Sequence, residues 1–413
     1  MKPRLAVLGA LGLCALLALA AVHAVRLVDG PRDPRFVRFL RRHGRRARVA
    51  EMLPPRGVAV DARGARLDVA EEGSTFQAVL DERALAAKGR PVALTLDARL
   101  QACAEALLRG RRGALVALEP ATGRVRALVS APRTNALNRA LNGLYPPGST
   151  FKVFMAAAAL SQGLDPLFDC PAGGYRSARG TPAIRDVEAR QRAREGRPWR
   201  GFGRLDLARA FVRSSNTYFA QLGVAMGPAA FGRAVAAARL RDDAVVLAAA
   251  NLSLVSAGGS VPDGLRAPAL APVAIGQGAL QLTPLAVATL TAAVANDGVM
   301  LAPTLDAAAR PALRARPFSF AAAARVKALM RAVVREGTGR ACDVRGLDVC
   351  GKTGTAETGR GGRDHAWFTC FAPERAPRLV VTVVVEEGGF GAAAALPAAK
   401  ALLLEARRLE YFR

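Results

Sequence analysis

Hydrophobic and polar positions change rhythm along this chain, and each change marks an element. Leu5 to Val25 is an almost unbroken apolar run behind Lys2 and Arg4, and ~20 such residues cross a bilayer as a helix. From Pro91 the pattern becomes that of a compact domain. Val92 to Leu96 is extended, and Asp97 to Leu108 carries helical periodicity. Gly113 to Leu118 and Val125 to Val129 are apolar strands, joined through Glu119-Pro120-Ala121-Thr122-Gly123 into a hairpin. Phe151 to about Arg335 is dominated by alanine-rich helical stretches between Gly/Pro loops. Within it, Thr283-Pro284 reads as a helix start and Asp297-Gly298 as its stop. Val349 to Thr355, Ala366 to Phe371 and Leu379 to Val385 return to strand character, the last as the continuous apolar run of a buried central strand. An amphipathic helix from about Leu396 to Leu409 ends the pattern. Strands at both ends with helices between them predict one sheet completed by N- and C-terminal segments, helices packed on it and a helical lobe inserted, with a cleft between lobe and sheet.

The apolar N-terminus is an uncleaved anchor or a signal peptide. Val22-His23-Ala24 resembles a cleavage site, but the length of the run favours the anchor. This gives three parts: residues 1–25 as membrane anchor or signal segment, 26–90 as a basic linker and short membrane-proximal segment, and 91–413 as the main domain. In the second part, Arg56 to Leu67 reads as strand, D-x-x-G turn and strand. The arginines after the span, from Arg26 to Arg46, outnumber the charges before it and by the positive-inside tendency would sit in the cytoplasm. The family resemblance drawn below implies the opposite orientation, and it is given precedence over that tendency.

The net charge of +26 comes from arginine spread along the chain without interleaved aromatics or a reading helix, which argues against nucleic acid. Attraction to anionic lipid or wall polymers, or a plain compositional bias, accounts for it. The chain has three histidines, His23, His43 and His365. A multi-histidine metal site is thereby excluded, and a Ser-His-Asp triad would have to use His365, for which a structural role is expected. No C-x-x-C pair occurs among the six cysteines, so neither zinc nor any other cofactor is expected. Cys342 and Cys350 are either partners in a short disulfide loop or small buried thiols.

Lysine is the sharper signal. It occurs at Lys2, Lys88, Lys152, Lys327, Lys352 and Lys400 alone, in a chain that otherwise uses arginine. Arginine does not give up its proton, whereas a buried lysine does. Tyr145-Pro146-Pro147-Gly148-Ser149-Thr150-Phe151-Lys152 starts a helix after a Pro/Gly turn. Ser149 and Lys152 then share a face, so a neutral Lys152 amine reaches the Ser149 hydroxyl as its base. Ser214-Ser215-Asn216 supplies S-x-N: the Ser214 hydroxyl relays a proton between Lys152 and a leaving amine, and Asn216 holds a substrate amide. Lys352-Thr353-Gly354 with Thr355 supplies K-T-G on a strand. Lys352 is expected as a fixed positive charge, Thr353 and Thr355 as carboxylate-binding hydroxyls, and Gly354 as a point of close backbone approach beside an oxyanion hole. Each motif alone has an ordinary structural explanation: a helix start, a polar cap between helices, a surface hairpin.

Together and in this order, the three motifs resemble the transpeptidase domain of the penicillin-binding proteins, closest to the class B, monofunctional kind. The resemblance runs from about Pro91 to Arg408. It includes Thr95-Leu96-Asp97 with Leu100-Gln101, Gly276-Gln277-Gly278 with Thr283-Pro284-Leu285, and Trp367-Phe368 after the third motif. It implies an α/β (α+β) fold: an antiparallel sheet of about five strands covered by helices, with an inserted all-helical lobe, behind a transmembrane helix. It also implies a D,D-transpeptidase of peptidoglycan stem peptides, working through a Ser149 acyl-enzyme that β-lactams capture, on the outer side of the cytoplasmic membrane. A polytopic glycosyltransferase is the partner such a domain implies when it carries a full pedestal; here the segment before residue 91 is short, and no T-G-x-D-L stretch follows the second motif. Rival readings are a D,D-carboxypeptidase, a β-lactamase-like hydrolase, for which no E-x-x-x-N element is evident, and a non-enzymatic penicillin sensor or scaffold.

Overall fold

The structure, a computed structural model, describes residues 59–67, 80, 90–132, 137–248, 253–358 and 363–413. The apolar run of Leu5 to Val25 lies outside the described residues, as does most of the basic linker. No helix among the described residues is long and apolar enough to cross a membrane.

Two compact units are present. In the smaller, Val60 and Arg66 form an antiparallel bridge. The larger comprises Asp61–Ala65, Ala93–Leu247 and Val255–Arg413 and contains every element that follows. It begins with the expected turn, in which the Asp61 carboxylate accepts from the backbone N–H of Arg63 and Ala65 at 2.9 and 2.8 Å.

In chain order, α1 covers Ala98–Leu107, capped by Asp97, and β1 (Gly113–Leu118) and β2 (Val125–Ala131) form the hairpin. Helix α2 is Lys152–Ser161. Strand β3 (Phe168–Pro171), helix α3 (Val187–Arg194), strand β4 (Gly201–Leu205) and helix α4 (Leu207–Arg213) follow. Helix α5 (Asn216–Ala237) bends at Gly227, before Pro228. Then come α6 (Pro284–Ala295), α7 (Phe320–Glu336), β5 (Cys350–Ala356), β6 (His365–Ala372), β7 (Leu379–Val385) and α8 (Gly391–Arg408).

The sheet is antiparallel with order β5-β6-β7-β1-β2, so β7 is central and every one of its residues is buried, as its unbroken apolar run predicts. One face packs on α1 and α8: Leu100, Ala104, Leu396, Ala399, Leu402 and Leu403 form a single core with Leu115, Val381, Val383 and Phe368. Against the other face lies α6, apolar all round as a helix between layers must be. Its Thr291 hydroxyl meets Thr369 at 2.8 Å, and Thr369 meets Thr382 at 2.7 Å, so the polar groups in this interior satisfy one another.

Two expectations need correction. The lobe between the sheet segments is not all-helical, because β3 and β4 pair within it, Phe168 opposite Leu205 and Cys170 opposite Gly203. These strands are short and glycine-broken, too weak a period-2 pattern to register. The last helix begins at Gly391 rather than near Leu396, with Pro397 in its interior. Proline normally reads as a helix boundary, but a tight seat holds this start in place: a Cβ at Gly391 would lie 2.2 Å from Trp367 O and 2.3 Å from Gly354 O.

Candidate active site

The segment leading to Ser149 is fixed before the helix begins. Tyr145 N donates to Leu282 O at 3.1 Å, Leu282 N returns to Tyr145 O at 2.9 Å, and Gly148 N donates to Gly276 O at 3.0 Å. Gly148 has φ +52, and a Cβ there would lie 2.4 Å from Thr355 O, so only glycine lets this turn touch the K-T-G strand. The Gly-Gln-Gly turn thus has a packing role that its sequence did not disclose. Residues Gly148–Phe151 form a 3-10 turn rather than the first α turn, and α2 starts at Lys152. Ser149 is half-buried.

Lys152 is fully buried, its Nζ 5.4 Å from the centre of the Phe219 ring. The amine donates to Ser214 O at 2.6 Å and to Asn216 Oδ1 at 2.7 Å, with Ser214 Oγ at 3.4 Å. It makes no hydrogen bond to Ser149, contrary to the expected serine–lysine contact. The competing acceptors are a backbone carbonyl and an amide, which hold the amine from the side of α5. Burial pushes Lys152 down from the usual lysine range to about 7. A neutral amine has two N–H groups, which these two acceptors occupy, and a lone pair left over for a hydroxyl proton.

The S-x-N motif forms a corner between helices. Ser214 ends α4 in the left-handed region at φ 58, and Ser215 caps α5, accepting from Tyr218 N at 3.1 Å. That uncommon conformation at Ser214 aims its carbonyl at Lys152, the sort of backbone outlier that gathers at functional sites. Its hydroxyl accepts from Lys352 Nζ at 2.8 Å and therefore sits between the two lysines.

Lys352 and Thr353 lie on β5, an edge strand. Lys352 is also fully buried, near the Phe211 ring, and burial first, then Lys152, pushes its amine well below the usual range. Two adjacent ammonium groups in an apolar surround repel each other and lose hydration, so the site works against the positive charge expected of Lys352. The Thr353 hydroxyl is paired with Thr338 Oγ1 at 2.7 Å, and Thr355 Oγ1 accepts a long bond of 3.4 Å from Gly391 N. At Gly354 a Cβ would lie 2.8 Å from Thr150 Cγ2 and 2.9 Å from Trp367 Cβ. Gly354→Ala is expected to displace the Ser149 turn against the strand and lower the acylation rate on the order of 10²-fold, measured with a chromogenic β-lactam; a rate equal to wild type contradicts that packing.

Several residues escaped the sequence. Arg185 O accepts from Asn216 Nδ2 at 3.1 Å, Asp186 Oδ1 accepts from Ser215 Oγ at 3.0 Å, and Glu188 stands beside both lysines with its carboxyl raised by burial. Thr338 follows α7 in a Gly-Thr-Gly stretch with no distinguishing pattern. His365 meets Tyr145 edge-on at 5.5 Å, and its Nδ1 accepts from Glu387 N at 3.1 Å, the structural role expected of it. The described cysteines, Cys342 and Cys350 among them, are free thiols.

A serine on a tight turn, with two lysines and an asparagine converging from a helix, an inter-helix corner and an edge strand, has counterparts in known proteins. The family model described as the penicillin binding protein transpeptidase domain matches residues 113–404. The chain belongs to this family. Peptidoglycan D,D-transpeptidase PbpA of Mycolicibacterium smegmatis is 34% identical over 345 residues, covering 72% of this chain and 67% of that protein. Peptidoglycan D,D-transpeptidase MrdA of Acinetobacter baumannii is 28% identical over 370 residues, 75% of this chain and 52% of that one. Among solved structures, the D,D-transpeptidase domain of a peptidoglycan glycosyltransferase from Eggerthella lenta superposes with TM-score 0.73 at 27% identity, covering 87% of this chain and 99% of that one. Penicillin-binding protein A from M. tuberculosis, solved as a ceftriaxone acyl-enzyme complex, gives 0.69 at 27% identity over 86% and 90%. As a penicillin-binding protein transpeptidase domain, the chain has the family's α/β fold of a sheet with helices.

Proposed function

We propose that this chain is a D,D-transpeptidase that cross-links peptidoglycan stem peptides through an acyl-enzyme on Ser149. The observation that carries the reading is the buried Lys152 amine held by Ser214 O and Asn216 Oδ1 one turn from Ser149, with the Ser214 hydroxyl joining it to Lys352. The neutral Lys152 amine takes the Ser149 proton as Oγ attacks the carbonyl of the penultimate D-alanine. The tetrahedral oxyanion is met by the backbone N–H groups of Ser149 and Thr355. Collapse breaks the peptide bond, and the leaving amine of terminal D-alanine takes its proton through the Ser214 hydroxyl, leaving an ester on Ser149. An amine of a neighbouring stem then attacks the ester and restores the serine. The terminal carboxylate meets Lys352, Thr353 and Thr355. Its arrival gives Lys352 a counter-ion, which favours the ammonium form that burial disfavours. Asn216 faces the substrate amide.

The same steps stop at the first ester when the carbonyl belongs to a β-lactam ring, whose leaving nitrogen stays tethered; relatives solved as acyl-enzymes support this. The apolar Leu5 to Val25 run supports a single-pass anchor in the cytoplasmic membrane; a domain on its outer side follows from the peptidoglycan substrate, against the positive-inside tendency of the arginines after the span. A polytopic glycosyltransferase is the partner expected to supply glycan strands.

The test is release of D-alanine from a stem-peptide donor with and without an acceptor amine. A cross-linked product with acceptor supports transpeptidation; hydrolysis alone points to a carboxypeptidase, and no release at all to a sensor. Burial fixes the pH dependence. Below about 7 Lys152 holds its proton and offers no base; above it the amine is free. The acylation rate is expected to rise with pH through that value and then level off. A rate that is flat across it contradicts Lys152 as the base.

A further inference from the structure

Asp186 sits at the start of α3 but makes no capping bond to its own helix. It is 2% exposed, and its Oδ1 serves another helix, accepting from Ser215 Oγ at 3.0 Å and from Thr217 N at 3.1 Å. Ser215 and Thr217 flank Asn216, and the preceding residue, Arg185, takes the Asn216 amide N–H on its carbonyl at 3.1 Å. The Arg185-Asp186 pair therefore clamps the first turn of α5, where the Asn216 oxygen is presented to Lys152. The second carboxylate oxygen, Oδ2, is buried without a hydrogen-bond partner.

We propose that Asp186 is a positioning residue for acyl transfer: it locks the S-x-N corner through Oδ1, and its charge acts on Lys152 across that corner. The proposal rests on the reading of Ser149 and Lys152 given above.

A neutral acceptor would hold Ser215 and Thr217 equally well. The fold instead keeps a carboxylate and leaves one of its oxygens unbonded in the interior, which is costly unless a cation is near. The N-terminus of α5, whose Thr217 N–H the carboxylate accepts, supplies compensation, and the charge of Asp186 is felt at Lys152. The other charged groups at the amine are Glu188, in the first turn of α3, and Lys352 on β5, while Arg213 at the end of α4 acts on Glu188. Asp186 and Glu188 favour the ammonium form of Lys152 and so oppose the burial that empties it. Removing the Asp186 charge thus frees the amine at lower pH and also makes it a weaker base.

Two variants separate the two roles. Asp186→Asn keeps the Oδ1 acceptor and loses the charge; Asp186→Ala loses both. Acylation rates with a fluorescent penicillin are measured against pH, alongside melting temperatures. For Asp186→Asn, the midpoint of the rising limb is expected to move to lower pH by about 0.5 unit or more, with a plateau within roughly 10-fold of wild type. For Asp186→Ala, the plateau is expected to fall roughly 10-fold further, because the corner loses its clamp. An unmoved midpoint in the Asn variant overturns the electrostatic role. Equal plateaus in the two variants overturn the positioning role, and loss of the fold in the Asn variant overturns both, since the residue then serves stability alone. A wild type that takes no β-lactam overturns the site reading itself, and the proposal falls with it.

Discussion

Replacing Lys152 by arginine is expected to slow acylation by a β-lactam about 10³-fold or more, within the range that a positioned general base contributes. The substitution keeps a positive group able to donate to Ser214 O and Asn216 Oδ1, so a purely electrostatic or anchoring role would survive it. A proton acceptor would not, because guanidinium has no lone pair to offer and holds its proton even when buried. Lys152 is 0% exposed and lies against Phe219, so a larger charged head is also costly to seat. Lys152→Met, which matches the apolar slot, serves as the companion: it is expected to lose acylation to the same degree. Rates are read by stopped-flow fluorescence on protein whose folding is checked by circular dichroism. A Lys152→Arg rate within about tenfold of wild type contradicts the base role.

Ser149→Ala is expected to separate activity from stability most cleanly. The hydroxyl is half-buried on the 3-10 turn, and no hydrogen bond joins it to another described residue. The turn is held instead by Gly148 N on Gly276 O and by Thr150 Oγ1 on Pro147 O at 2.6 Å. Loss of the hydroxyl should therefore shift unfolding free energy by no more than about 0.5 kcal/mol, while covalent labelling by fluorescent penicillin and release of D-alanine both disappear. Labelling of the variant equal to that of wild type places the nucleophile elsewhere.

Much of the sheet was legible because its signals are local. The β1–β2 hairpin announces itself in two apolar runs around Glu119-Pro120-Ala121-Thr122-Gly123, and β7 in seven consecutive buried apolar or threonine residues. The three motifs were legible for a chemical reason, since in an arginine-rich chain a lysine three residues after a serine marks a demand for a removable proton. What escaped depends on contacts between distant segments. The start of α8 at Gly391 is fixed by Trp367 and Gly354, not by local propensity. The pressure against a proton on Lys352 comes from total burial beside Lys152, which no local pattern records. Asp186 looks like an ordinary helix cap, and its link to the site lies in hydrogen bonds to Ser215 and Thr217, 29 and 31 positions along the chain. The direction of the Lys152 amine was likewise set by acceptors on a different helix, and the same α-face geometry that brings residues 149 and 152 together left that competition unseen.

Acyl transfer through one serine is tested most directly by digesting protein incubated with benzylpenicillin and locating the added mass by tandem spectrometry. The expected result is a single penicilloyl adduct on the peptide containing Ser149, removed by hydroxylamine as an ester is. No adduct, or one carried by Ser214 or another side chain, contradicts the assignment.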